Sequence, residues 1–354
     1  MQLAVDFIHL TDTNIFMQKI VFSFLIATLF GFNIYAQQTT ESLQENARTF
    51  LRQGDYDNAI IILNRALMQD KNNLELQKDL VQAYYYKRDY EKALDGVKAI
   101  IDRPDADVIT FQIAGNVYKA LEDVKEADKL YKKGLKKFPN SGPLHSEYGE
   151  LLWAKKDYDA IKYWEKGIQL DPAYSGNYYN AALYYFYTKD KVWSLLYGEI
   201  FVNMESLTQR GAAMKELLLS AYKEKLFAEA DMMKGAENTK SEFAKAVLQT
   251  FSRQSSIANR GVTTATLTMM RTRFITDWFA GSAAKYPFRL FDYHQQLLKE
   301  GMFEAYNQWL FGTVENLPAF ETWVNTHQAA YTKFTDFQKG RIFKMPAGQY
   351  YQAQ

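Results

Sequence analysis

Small residues recur at a nearly constant step through the first half of this chain: Ala59, Ala93, Ala127, Ala160 and Ser194, separated by 34, 34, 33 and 34 residues. A period of this length is that of a stacked helix-turn-helix repeat, in which each unit can bury its apolar face only against its neighbours. The step thus specifies an all-α solenoid before any single helix is assigned. Each rung is a place where a small side chain lets two helices approach.

From Glu41 the apolar positions follow helical spacing. The first pair of helices is expected over Leu43–Gln53 and Tyr56–Gln69, parted by Gly54-Asp55. Arg88-Asp89-Tyr90, Glu122-Asp123-Val124 and Lys156-Asp157-Tyr158 mark the same turn in the following units. A tyrosine stands just ahead of the small residue at Tyr56, Tyr90 and Tyr158, where its ring fills the space beside the rung.

This pattern resembles the tetratricopeptide repeat. The third unit carries the family's positions as Gly115, Tyr118, Ala127, Tyr131, Gly134 and Pro139, and the fourth as Gly149, Leu152, Ala160, Trp164, Gly167 and Pro172. The first (Ala47, Phe50, Ala59, Leu63, Ala66) and second (Val81, Tyr84, Ala93, Val97) follow, and a fifth (Ala182, Tyr185, Ser194, Gly198, Phe201) is degenerate. The resemblance covers residues 40–207. It implies a right-handed superhelical solenoid of such hairpins, its inner groove lined by first-helix side chains. Carried onto this sequence, the groove positions are Arg48, Arg52, Gln82, Tyr85, Tyr86, Gln112, Asn116, Lys119, Glu150, Trp153, Tyr179, Phe186 and Tyr187. A polar floor gives way to an aromatic end, suited to a protein or peptide partner. Asn116 and Lys119 match part of the clamp by which some relatives grip a partner's C-terminal carboxylate; the remainder is missing, so that clamp is not expected. Within Tyr178–Tyr187 six of ten residues are aromatic, and a helix spreads them around its circumference. Tyr178 and Tyr185 sit at packing positions; the cluster as a whole reads either as core and junction with the C-terminal half or, in Tyr179, Phe186 and Tyr187, as lining for the groove.

The N-terminus reads as an address. Met17-Gln-Lys19, the apolar run Ile20–Phe32 and Asn33-Ile-Tyr-Ala36 have the three parts of a secretory signal, with cleavage expected after Ala36. Residues 17–36 are therefore assigned as the signal and residues 1–16 as a start-site extension. The expected destination is the bacterial cell envelope, periplasmic or extracellular. The chain has no cysteine, which excludes disulfides, thiolate metal sites and a lipidated N-terminal anchor.

Formal net charge is +1, far from the basic excess with which nucleic-acid binders neutralise phosphates. The lysines of residues 125–137 are interleaved with Glu126 and Asp128 and read as a solvated outer face. Residues 208–340 keep helical periodicity without the repeat, over Gly211–Leu226, Ser241–Arg253, Thr264–Phe279, Phe288–Glu300, Phe303–Phe311 and Ala319–Phe337. Further diverged hairpins closing the solenoid are the expectation there. Residues 341–354 read as an irregular, mobile tail. Asp292-x-His294 with Glu300 falls short of a metal-site pattern, Arg271 and Arg273 read as charges flanking an apolar stripe, and His294 as a surface or half-buried residue. No nucleophile elbow, phosphate loop or dinucleotide fingerprint is present, and no cofactor or metal is expected. The reading is a non-enzymatic adaptor. The alternatives are a carbohydrate-binding protein using aromatic platforms and an enzyme in the C-terminal helices, for which a buried carboxylate cluster or His294 in a deep pocket would be the sign.

Overall fold

Residues 39–352 of the computed structural model are described, apart from 189, 229–231 and 235–238. The start extension and signal segment assigned above lie outside them. The chain divides after Gly96 into two units, and residue 207, where the repeat pattern fades, falls inside the second. Every regular element among the described residues is a helix.

The first unit contains α1 (Thr40–Gln53), α2 (Tyr56–Gln69) and α3 (Leu74–Tyr86), and the division falls within α4 (Tyr90–Ile100). Leu43, Ala47, Leu63, Ala66, Leu76 and Ala83 form its core. Ala59 and Ala93, the first two rungs of the ladder, are fully buried.

The second unit continues the hairpins with α5 (Val108–Ala120), α6 (Val124–Lys137), α7 (Gly142–Ala154), α8 (Ala160–Leu170), α9 (Ser175–Tyr187) and α10 (Trp193–Met204). Ala127, Ala160 and Ser194 are buried in it, as the period requires. Then come α11 (Gln209–Ala221), which runs into a π-helical turn at Tyr222–Leu226, α12 (Glu242–Ser252), α13 (Ser255–Ala258), α14 (Thr264–Gly281), α15 (Arg289–Lys299) and α16 (Phe303–Asn307). A second π turn (Gln308–Gly312), α17 (Thr313–Glu315), α18 (Leu317–Thr326) and α19 (Gln328–Gln338) follow.

One turn is reused four times. Gly54, Arg88, Glu122 and Lys156 have φ of 79°, 64°, 56° and 60°, the left-handed conformation that closes a helix. Each is followed by an aspartate whose N–H returns to the preceding helix: Asp55 to Phe50 O, Asp89 to Tyr84 O, Asp123 to Tyr118 O and Asp157 to Leu152 O, all at 2.9 Å. Asp55 and Asp123 then cap the next helix, accepting from the N–H of Asn58 at 3.2 Å and of Glu126 at 3.1 Å. Sequence and backbone thus share the 34-residue step.

Past α10 the ladder gives way to a helical cluster around α14, packed against α12, α13, α15, α16 and the second π turn. Its interior is aromatic: Phe251 stacks on Phe274 with ring centroids 4.1 Å apart, and Trp278 meets Phe291 at 4.9 Å. The helix expected over Ala319–Phe337 is two. His327 leaves the helical backbone (φ −125°, ψ 33°) and its ring lies flat on Trp323, centroids 4.6 Å apart.

The tail is irregular, but it is docked. Phe343, Met345 and Tyr351 are buried. Ser241 Oγ donates to Tyr351 O at 2.6 Å, the Tyr351 hydroxyl to Pro287 O at 2.7 Å, and Arg289 N–H to the Gln349 side chain at 2.6 Å. Tyr350 reaches Glu165 on α8 at 3.3 Å. The lack of periodicity in this stretch reflects an extended strap held by its side chains.

Candidate functional site

In the first unit the predicted groove residues of α1 and α3 converge. Arg48, Arg52, Gln82 and Tyr86 line an open hollow of about 400 Å³ with Leu51, Tyr56 and Asp79. Its apolar wall is the pair Tyr56 and Tyr86, stacked at 5.8 Å, and Tyr86 remains 50% exposed. Arg48 forks onto Asp79, Nε to Oδ2 at 2.9 Å and Nη2 to Oδ1 at 3.4 Å, and Gln44 donates to the same carboxylate at 2.7 Å. Arg52 is held along its own helix by Glu45 (2.9 Å) and Thr49 (2.8 Å), with its side chain 62% exposed. Tyr85 lies edge-on to Tyr86 at 5.5 Å and 6.0 Å from Tyr90. Arg48 is therefore a structural rung as much as a groove residue, while Arg52 and Tyr86 face outward.

The same kind of rung joins first helices in the second unit. Gln112 Nε2 donates to Glu147 Oε1 at 2.8 Å, the Tyr131 hydroxyl donates to Oε2 at 2.7 Å, and Lys119 lies 3.8 Å away. Burial pushes the Glu147 carboxyl above its ordinary value, opposed by Lys119 and the two donors. Asn180 donates to Glu150 at 3.0 Å and to Ser146 Oγ at 3.1 Å. Asn116 is half-buried on α5. Trp153 is half-buried among Tyr158, Trp164 and Tyr184, with centroids 5.8, 6.1 and 5.6 Å away.

The aromatic run on α9 divides by depth. Tyr178 is buried, and Tyr185 is half-buried with its hydroxyl on Glu165. Tyr179 packs on Phe201 at 5.0 Å with the Arg210 guanidinium 5.2 Å from its ring. Phe186 carries the Lys225 ammonium 4.5 Å from its ring, and Tyr187 is 66% exposed. Three rung partners escaped sequence reasoning: Asp79, Glu147 and Asn180. Each stands 34 or 35 residues after its donor or acceptor at Gln44, Gln112 or Ser146. A polar pair at the repeat step or one residue beyond it is the signal that would have found them.

Two readings of the C-terminal half are overturned. Arg271 and His294 are buried with Glu199. Arg271 pairs with Glu199 through Nη2 and donates from Nη1 to Asn307 Oδ1 at 2.5 Å. His294 Nε2 and the Tyr306 hydroxyl donate to the same Glu199 oxygen at 2.8 and 2.6 Å. Arg271 lies on α14, His294 on α15, Glu199 on α10 and Tyr306 on α16, so polar side chains from four helices meet inside an aromatic core. A stripe count assigns such an arginine to the surface because it cannot see a buried counter-charge. The cavity beside the cluster holds about 10 Å³, room for one water. Its members bond one another, which makes the cluster a tie between helices. Asp292 is exposed and takes no part. No group of three or more potential metal ligands occurs among the described residues, and none of their helices is long and apolar enough to cross a membrane.

Residues 50–108, which include most of the hollow, match the family model described as tetratricopeptide repeat. That segment therefore carries tetratricopeptide-repeat sequence, and the helical hairpins described above recur at the 34-residue step of such repeats. Among solved structures, a thermophilic tetratricopeptide-repeat protein of Thermus thermophilus is 16% identical, with a TM-score of 0.43 over 52% of this chain and 99% of that one. A tetratricopeptide repeat protein of Parabacteroides merdae ATCC 43184 is 16% identical, with a TM-score of 0.41 over 74% of this chain and 98% of that one. MamA from Desulfovibrio magneticus RS-1 is 16% identical, with a TM-score of 0.38 over 48% and 97%. No curated protein matches the chain.

Proposed function

We propose that this protein is a non-enzymatic scaffold of the bacterial cell envelope that holds a protein or peptide on the first-helix faces of its repeats. The observation that carries the reading is the hollow between α1 and α3, where half-exposed Tyr86, Tyr56 and exposed Arg52 surround open space. A rigid aromatic anchor beside a guanidinium is the composition from which peptide-binding hot spots are made. The apolar run at residues 20–32 supports export.

The test is a peptide-display selection on purified residues 37–354, followed by affinity measurement of the selected peptides. Tyr86→Ala and Arg52→Ala are expected to weaken binding at least tenfold, and Lys129→Ala on α6 to leave it unchanged. Selected peptides that bind both hollow variants as tightly as the parent overturn the assignment. N-terminal sequencing of protein from the envelope fraction tests export: a chain that keeps residues 20–36 overturns cleavage after Ala36.

A further inference from the structure

We propose that Arg289 and Arg341 of the second unit form an oxyanion site for a phosphate-sized dianion. The two guanidiniums line one cavity of about 90 Å³, walled also by Asn203, Ser206, Gln296 and Gln338, with Tyr293 and Phe343 among its rings. No acidic side chain lines it. Neither guanidinium has a hydrogen bond or an ion pair among the described residues. Asp292, one turn along α15, lies within electrostatic reach of Arg289 without forming an ion pair with it.

The two side chains are held in place by aromatic rings. The Arg341 guanidinium lies 3.9 Å from the Phe337 centroid, and that of Arg289 lies 5.5 Å from Phe343 and 5.9 Å from Tyr293. These rings pack on one another: Tyr293 meets Phe343 at 5.5 Å and Phe337 at 6.3 Å. At 3.9 Å the Arg341 guanidinium is within stacking range of Phe337, an arrangement that leaves the N–H edge open, while Arg289 makes longer cation–π contacts. Arg289 opens α15, and its backbone N–H is tied to the docked tail through Gln349. Arg341 opens the tail itself, directly after α19.

Two arginines and no acid among the lining residues leave the cavity wall net positive, with Asp292 outside the lining. A tetrahedral dianion matches that charge and offers oxygens to two forks at once; a planar carboxylate occupies one. Inorganic phosphate and a phosphate monoester share this chemistry. The site shares no residue with the hollow of the first unit, so it stands or falls independently of the scaffold reading.

The test is thermal unfolding and isothermal titration of the full mature chain with inorganic phosphate, O-phosphoserine, acetate and chloride at matched ionic strength. Phosphate at tenfold over its Kd is expected to raise Tm by about 2 °C, with acetate and chloride inert. Arg341→Gln, at an exposed position, is expected to keep the parent Tm without ligand and to lose the phosphate shift. Arg289→Gln is expected to lose it as well. A response to O-phosphoserine alone identifies a monoester as the ligand, and a response to both shows that the free ion suffices. Equal shifts with acetate, or a phosphate shift that survives in Arg341→Gln, overturn the proposal.

Discussion

Trp164 lies directly over Gly149: a Cβ at that glycine would come within 2.7 Å of two carbons of the indole, whose N–H donates to Ser146 O at 3.1 Å. Tyr131 lies over Gly115 in the same way one hairpin earlier, its ring carbon 2.7 Å from where a Cβ would stand. In these two hairpins the second helix thus lays an aromatic ring on the bare backbone of the first.

Gly149→Ala is therefore expected to destabilise. Trp164 is buried and hydrogen-bonded, so the ring cannot swing away. Overpacking of this kind costs about 1–3 kcal/mol, which exceeds the gain of about 1 kcal/mol from replacing a helical glycine. Gly281→Ala is the control, since nothing lies within 4 Å of its Cβ position. Urea denaturation should show a lower midpoint for the first variant and a midpoint equal to or above the parent for the second.

The recurrent turn predicts the opposite sign. Lys156 holds a left-handed backbone (φ 60°) that glycine adopts without a Cβ penalty. Lys156→Gly is expected to stabilise the protein by about 1 kcal/mol, and Gly54→Ala, at φ 79°, to destabilise it by at least as much. Equilibrium unfolding of the two variants checks both signs, and a destabilised Lys156→Gly would show that the side chain matters more than the backbone.

Much of this architecture was legible because it repeats. Ala59, Ala93, Ala127, Ala160 and Ser194 could be read as rungs because a small residue recurs there at one step, and all are buried. The groove positions were legible as places on first helices. Their engagement was not, because Arg48 depends on Asp79 and Gln112 on Glu147, and a hydrogen bond across helices leaves no periodic apolar signal. Past Met204 nothing repeats. The burial of Arg271 follows from Glu199, 72 residues away, and the docking of the tail from Ser241 and Glu165; neither partner is marked in one sequence.

The tail can be tested at Tyr351, one of its buried residues. The Tyr351 ring stacks on Phe243 with centroids 4.7 Å apart and caps the aromatic interior beside Phe288. Tyr351→Ala is expected to cost about 3–5 kcal/mol, as for other large buried aromatics, and to raise proteolysis of residues 341–352 before global unfolding. Unchanged stability and protease resistance would mean that the strap contributes nothing to the fold.

The Glu199 cluster sets how the protein responds to acid. Burial pushes Glu199 up, but the Arg271 charge and the hydrogen bonds from His294 and Tyr306 outweigh it and hold the carboxyl at about 2. Burial also lowers His294, so its imidazole is neutral and donates Nε2–H to Glu199. Both folded-state values lie below the unfolded ones, so the unfolded chain binds more protons in acid and stability falls with pH. The loss begins near pH 6.5, where His294 of the unfolded chain takes up its proton, and steepens from about pH 4.5 towards 2 as Glu199 follows. Glu199→Gln removes the carboxylate from beside a buried guanidinium and is expected to cost about 3–5 kcal/mol at pH 7. It should also flatten the acid limb below pH 4.5. Midpoints of urea denaturation at pH 7, 5.5, 4 and 3 measure both effects. A variant that keeps the parent's slope between pH 4.5 and 3 would place the acid sensitivity elsewhere, with Asp128, whose desolvation is outweighed by hydrogen bonds from Lys132 and Tyr148 that hold it below its ordinary value, the next carboxylate to examine; Glu147 and Glu165 are pushed up by burial and act with the opposite sign.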